Sequence, residues 1–208
     1  IISGGGEPLL RKETTLKVLE RIKKHGMWGQ LTTNGTLIDE EVAKKIVEIG
    51  WDQVQISIDG PSAEVHNFIR QKDFAFRNSV KGAKLISKYK EKYNRDDPYL
   101  GFNTVINQTN YDKLPEMIEL AKRTGTQLVY FEPIYPGYNS EVRLKLNDEE
   151  KREIQKYIKR AEKIAEKEGI DTNVDEFNSK YNIDKDNFDE KVLEGCNNCE
   201  GRYGVPCF

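Results

Sequence analysis

The sequence has little sulfur and almost no histidine. Its three cysteines, Cys196, Cys199 and Cys207, all fall in the last thirteen residues, and there are only two histidines. An odd, clustered set of thiols argues against a disulfide framework and for a reducing compartment, so we expect a cytoplasmic protein. No apolar run approaches the ~20 residues needed to span a bilayer, and we expect no membrane partner. Neither sign of charge dominates: 33 basic and 35 acidic residues leave a net charge of -2. Without a basic stripe, a nucleic-acid partner is not expected. The G-x-G-x-x-G spacing of a dinucleotide fold is missing, as is the Lys-Ser/Thr ending of a phosphate loop. The chain opens on Ile1-Ile2, with no initiating Met and no basic leader. We therefore expect a truncated chain without a signal peptide.

What is present is alternation. Ile1 to Ser3 reads as the end of a strand, and further strands are expected at 30–33, 53–58, 101–106 and 127–132. Between them lie helical patterns at Lys12–His25, from Asp39 onward, Phe76–Tyr93 and Lys113–Arg123, with a long one at Asp148–Lys167. Leu16, Leu19 and Ile22 show the helical spacing, as do Val42, Ile46 and Ile49. Repeated strand–helix units imply parallel strands joined by right-handed crossovers. The strands are short and apolar, which predicts a sheet covered on both faces. The fold class is α/β: a partial (β/α)6 TIM-like barrel fits best, and an open doubly wound sheet is the alternative. In both, ligands bind at the C-terminal strand ends. Residues 1–170 make up this barrel. Residues 171–195, rich in Asn, Asp and Lys, read as a connector of loops with at most one short helix. Residues 196–208 carry the cysteines.

The strand ends carry the chemistry. Ser3-Gly4-Gly5-Gly6-Glu7-Pro8 lets backbone pass close to a ligand and sets the Glu7 carboxylate at the ligand end; a plain turn reads the same way. Leu31-Thr32-Thr33-Asn34-Gly35-Thr36 ends the next strand, and Ile56-Ser57-Ile58-Asp59-Gly60-Pro61 the one after. Ala63 to Arg70 follows as a loop.

These segments, in this order and one helix apart, resemble the radical S-adenosylmethionine (radical SAM) superfamily over about residues 1–170. The resemblance implies that Gly5, Gly6 and Glu7 contact the amino group of the cofactor's methionine moiety. It also implies that Ser57 and Arg70 bind its ribose or carboxylate. Arg suits a carboxylate because its planar fork meets both oxygens. Asn34 and Thr33 would line the pocket or hold its turn, and Asn103 fits a polar pocket position. Glu132 ends a strand and faces substrate or solvent. Asp59 also reads as a turn former, and His66 as a loop residue. The family's Cys-x3-Cys-x2-Cys loop is absent, so we expect a fragment that lacks the [4Fe–4S] ligands and is inactive alone.

The tail Cys196-Asn197-Asn198-Cys199 with Cys207 resembles the start of the Cys-rich extension called SPASM, which implies an auxiliary [4Fe–4S] cluster; zinc or free thiols are the other readings. The family's chemistry implies reductive cleavage of S-adenosylmethionine to a radical that abstracts hydrogen. It also implies a peptide or small-molecule substrate and an electron donor such as flavodoxin or ferredoxin. Two rivals are a Schiff-base lyase, which wants a Lys inside a strand, and a non-catalytic binding module that has lost the cluster.

Overall fold

The computed structural model describes residues 1–3, 6–134 and 144–181. Five strands form one sheet: β1 (Gln30–Thr33), β2 (Gln53–Ser57), β3 (Tyr99–Ile106), β4 (Leu128–Pro133) and β5 (Asp171–Thr172). Their spatial order follows the chain, and every neighbouring pair is parallel. Ile2 adds a parallel bridge to Leu31 at the β1 edge. The order never reverses. A doubly wound sheet needs such a reversal, so this sheet is the barrel type.

The crossovers are helical: α1 (Lys12–Lys24) before β1, α2 (Glu40–Glu48), then α3 (Ala63–Arg70) and α4 (Ala75–Tyr93), then α5 (Leu114–Thr124) and α6 (Asp148–Glu168), with α7 (Val174–Tyr181) after β5. Local chemistry sets their ends. Asp39 caps α2 by accepting the Val42 amide at 2.9 Å. Asn147 and Glu150 form a reciprocal capping box on α6, which satisfies two otherwise orphaned donors.

Burial alternates along β1 and β2, over Phe102–Ile106 of β3 and over Leu128–Phe131 of β4. Leu31, Val54, Ile56, Leu100, Phe102, Val129 and Phe131 are fully buried against the helices, where they meet Leu19, Ile46, Ile86, Ile118 and Ile158. Each such side chain contributes about 1.5–3 kcal/mol by leaving water. The opposite face bears Gln30, Thr32, Gln55, Ser57, Asn103, Tyr130 and Glu132, all half-buried. The expectation of a sheet covered on both faces is thus corrected. The helices cover one face, and the polar residues at alternate positions line the concave side of a partial barrel.

Two local readings also change. Ala63–Arg70 is a helix rather than a loop, started by Ser62, whose hydroxyl accepts the Val65 amide at 3.4 Å. The segment after residue 170 begins with strand β5 and helix α7.

Candidate active site

The C-terminal ends of β1, β2 and β3 are tied together by side chains. Glu7 lies just after the Ile2 bridge and reaches across to β1. Its Oε1 accepts the Thr33 hydroxyl at 2.6 Å and the Leu9 amide at 3.1 Å; its Oε2 accepts the Asn34 amide at 2.7 Å. A carboxylate has roughly four acceptor positions, so one remains on Oε2 for a ligand. Thr33 Oγ1 also accepts the Gly35 amide, and Asn34 Oδ1 takes the amide and hydroxyl of Thr36. Gly35 is needed here: its φ is +75°, and a Cβ would stand 2.6 Å from Ile56 Cγ2.

The turn after β2 is built around Asp59. Its side chain is 4% exposed and pairs with the Arg70 guanidinium, Nε to Oδ2 at 2.7 Å. Oδ1 accepts the Val105 amide at 3.1 Å. The Asp59 amide donates to His66 Nδ1 at 3.0 Å, and its carbonyl accepts Asn110 Nδ2 at 2.7 Å. His66 therefore carries its proton on Nε2. Burial and then the Arg70 charge pull its pKa down to about 3. Burial pushes the Asp59 carboxyl up, against the pull of Arg70. His66 is thus a buried helical residue and not part of a loop. Asp59 is also more than a turn former. The signal that could have revealed both was the four-residue spacing of His66 and Arg70, which puts them on one face of α3.

On the concave face, Ser57 and Asn103 are register partners, with Tyr130 beside Asn103 and Glu132 beside Val105. Asn103 Nδ2 donates to Glu132 Oε1 at 3.3 Å. Asn103 Oδ1 is buried and has no partner. Ser57 makes no side-chain hydrogen bond, and the terminal nitrogens of Arg70 make none, among the described residues. The structure thus brings Gly6, Glu7, Asn34, Ser57, Arg70 and Asn103 to one end of the sheet, where Asn103 Oδ1 has no partner. Gly5, Cys196, Cys199 and Cys207 lie outside the described residues. No lysine lies in any described strand, so the Schiff-base reading has no residue to act on.

The radical SAM superfamily model matches residues 1–121, more than half of the chain. The chain belongs to the radical SAM superfamily. Its members are enzymes that use S-adenosylmethionine and a [4Fe–4S] cluster. Among its relatives, the AdoMet-dependent heme synthase of Methanosarcina barkeri is 31% identical over 60% of this chain and 34% of its own length. The Fe-coproporphyrin III synthase of the same organism is 28% identical over 98% of this chain and 45% of its own. A solved structure, anSMEcpe with bound AdoMet and the Cp18Cys peptide, superimposes with TM-score 0.61 at 24% identity. That match covers 81% of this chain and 48% of the other, and it shows the shared fold. The chain therefore spans between a third and half the length of these relatives.

The two radical SAM cofactors fit the described residues differently. No set of three or more His, Cys, Asp or Glu side chains is grouped to hold a metal among the described residues. These residues do not supply the cluster's ligands. The concave face does suit S-adenosylmethionine. The buried, unpartnered Asn103 Oδ1 wants a donor, and the unengaged end of the Arg70 fork wants an anion. No helix among the described residues is long and apolar enough to cross a membrane.

Proposed function

We propose that the concave face binds S-adenosylmethionine. In this reading Gly5, Gly6 and Glu7 meet the methionyl amino group, through the remaining acceptor position on Glu7 Oε2. Arg70 meets the carboxylate with its terminal nitrogens, Ser57 and Asn103 take the ribose side, and Asn34 lines the turn. The observation that carries the reading is Asn103. A buried carbonyl oxygen without a donor costs about 1–3 kcal/mol, and a ligand hydroxyl would remove that cost.

In the complete protein, a [4Fe–4S] cluster held by residues outside those described would supply the one-electron reduction used on S-adenosylmethionine, with hydrogen abstraction from substrate as the resulting chemistry. The chain's own residues orient the cofactor and present one wall of the cavity. A flavodoxin or ferredoxin is the electron donor. The substrate is a peptide or protein, a reading supported by the peptide bound in the anSMEcpe structure and by the spacing of the tail cysteines. A small-molecule substrate is the second reading, favoured by the Fe-coproporphyrin III synthase match along 98% of this chain. The test is 5′-deoxyadenosine released by full-length, anaerobically reconstituted protein after reduction. Product is expected from wild type and a large loss from Asn103→Leu. No product from wild type rejects the reading. Stimulation of turnover by an added iron tetrapyrrole precursor, and not by peptides, would select the second substrate class.

The tail belongs to the same proposal. Cys196, Cys199 and Cys207 hold an auxiliary [4Fe–4S] cluster, together with a ligand from elsewhere, since three thiolates leave such a cluster one short of the usual four. Iron and sulfide are measured in full-length protein whose first cluster has been removed by Cys→Ala changes. Replacing the three tail cysteines should then lower both; unchanged content means the tail carries no cluster.

A further inference from the structure

We propose that Asp59 is a positioning residue: it holds the Arg70 guanidinium by one edge so that the other edge faces the ligand. The inference deepens the binding site proposed above and rests on it. Arg70 is the last residue of α3 and would by itself be a free side chain at a helix end. Two contacts one turn apart dock α3 on Asp59. His66 Nδ1 takes the Asp59 amide at 3.0 Å, and Arg70 Nε lies 2.7 Å from Asp59 Oδ2. Asp59 is itself immobilised from β3 and the loop beyond it. The Val105 amide donates to Oδ1 at 3.1 Å, and Asn110 Nδ2 donates to the carbonyl at 2.7 Å. Every polar group of Asp59 except the Arg70-facing oxygen is committed to the scaffold.

Gly60 makes the approach possible. A Cβ there would stand 2.5 Å from Val65 Cγ1 and 2.9 Å from the His66 amide nitrogen, so only glycine lets α3 come this close. The Asp59-Gly60 pair thus has a division of labour, with the carboxylate holding the arginine and the glycine admitting its helix. The guanidinium is a planar fork. Nε lies 2.7 Å from Asp59 Oδ2 as a charge contact without hydrogen-bonding alignment, which leaves the two terminal nitrogens outside that contact. They make no hydrogen bond among the described residues, and the side chain is 23% exposed. A pair of parallel donors held this way suits a ligand carboxylate and, once fixed, loses less freedom on binding than a loose side chain.

The test is a double-mutant cycle on S-adenosylmethionine affinity in the full-length protein, read by equilibrium dialysis. Arg70→Ala should weaken binding about ten- to a hundred-fold. Asp59→Asn should weaken it about five- to ten-fold in the wild-type background and not at all in the Arg70→Ala background. Equal loss in both backgrounds, or none in the first, overturns the positioning role. If Arg70→Ala itself leaves affinity unchanged, Arg70 is outside the binding site and that reading fails first. Arg70→Lys gives an independent arm should Asp59→Asn not fold. A lone ammonium cannot pair with Asp59 and also offer two parallel donors, so this variant should bind as weakly as Arg70→Ala. Wild-type affinity in Arg70→Lys overturns the proposal.

Discussion

Glu7 Oε2 accepts the backbone amide of Asn34 at 2.7 Å, while its other oxygen takes the hydroxyl of Thr33. One carboxylate thereby joins the segment after Ile2 to the C-terminal end of β1. The two ends that flank the proposed cofactor site are fixed to each other before any ligand arrives.

Glu7→Gln places an amide where one carboxylate oxygen must accept an N–H. With Oε2 replaced by a donor, the Asn34 amide loses its partner. The expected loss is about 1–3 kcal/mol of stability, read as a lower urea midpoint of the full-length protein at unchanged slope. An unchanged midpoint would mean that Glu7 is not part of the scaffold.

Gly60→Ala puts a methyl group 2.5 Å from Val65 Cγ1. Overpacking of this kind costs about 1–3 kcal/mol. Because the crowded atoms belong to α3, the change should also weaken S-adenosylmethionine binding. Stability and affinity that both match wild type would show that α3 does not rest on this turn.

The acid behaviour of His66 has a definite sign. Its folded pKa of about 3 lies below the ordinary 6.5, so between these values the unfolded chain binds a proton that the folded one refuses. Stability is intact above the upper value and falls as pH drops through the window, by about 1.4 kcal/mol per unit at most. Asp59, whose carboxyl burial pushes up, acts in the opposite sense: its contribution is present at low pH and is lost as pH rises. His66→Asn keeps an acceptor for the Asp59 amide and removes the proton site. The stability advantage of wild type over this variant should therefore shrink steadily from pH 6.5 to pH 4. A constant difference would mean that His66 titrates normally in the folded protein.

Much of this was legible in the sequence, for physical reasons that also explain what was not. The stripes Leu16–Leu19–Ile22 and Val42–Ile46 declare helices because one face must be buried, and the structure forms them. The strand-end segments around Glu7, Ser57 and Asn103 were legible because a parallel barrel brings successive C-terminal ends together. The pairing of Asp59 with Arg70 was not, since it depends on α3 folding back over Gly60, and eight residues after a turn give a weak helical signal. The covering of only one sheet face was also hidden. Short strands such as Gln53–Ser57 alternate too briefly for their polar positions to stand out from a buried run.

The most direct test is a structure of the full-length protein with S-adenosylmethionine bound. The account predicts the ligand across the C-terminal ends of β1 to β3. Its carboxylate should meet the terminal nitrogens of Arg70, and a ligand donor should lie within hydrogen-bond distance of Asn103 Oδ1. S-adenosylmethionine found elsewhere, with Asn103 Oδ1 still unpartnered, would contradict it.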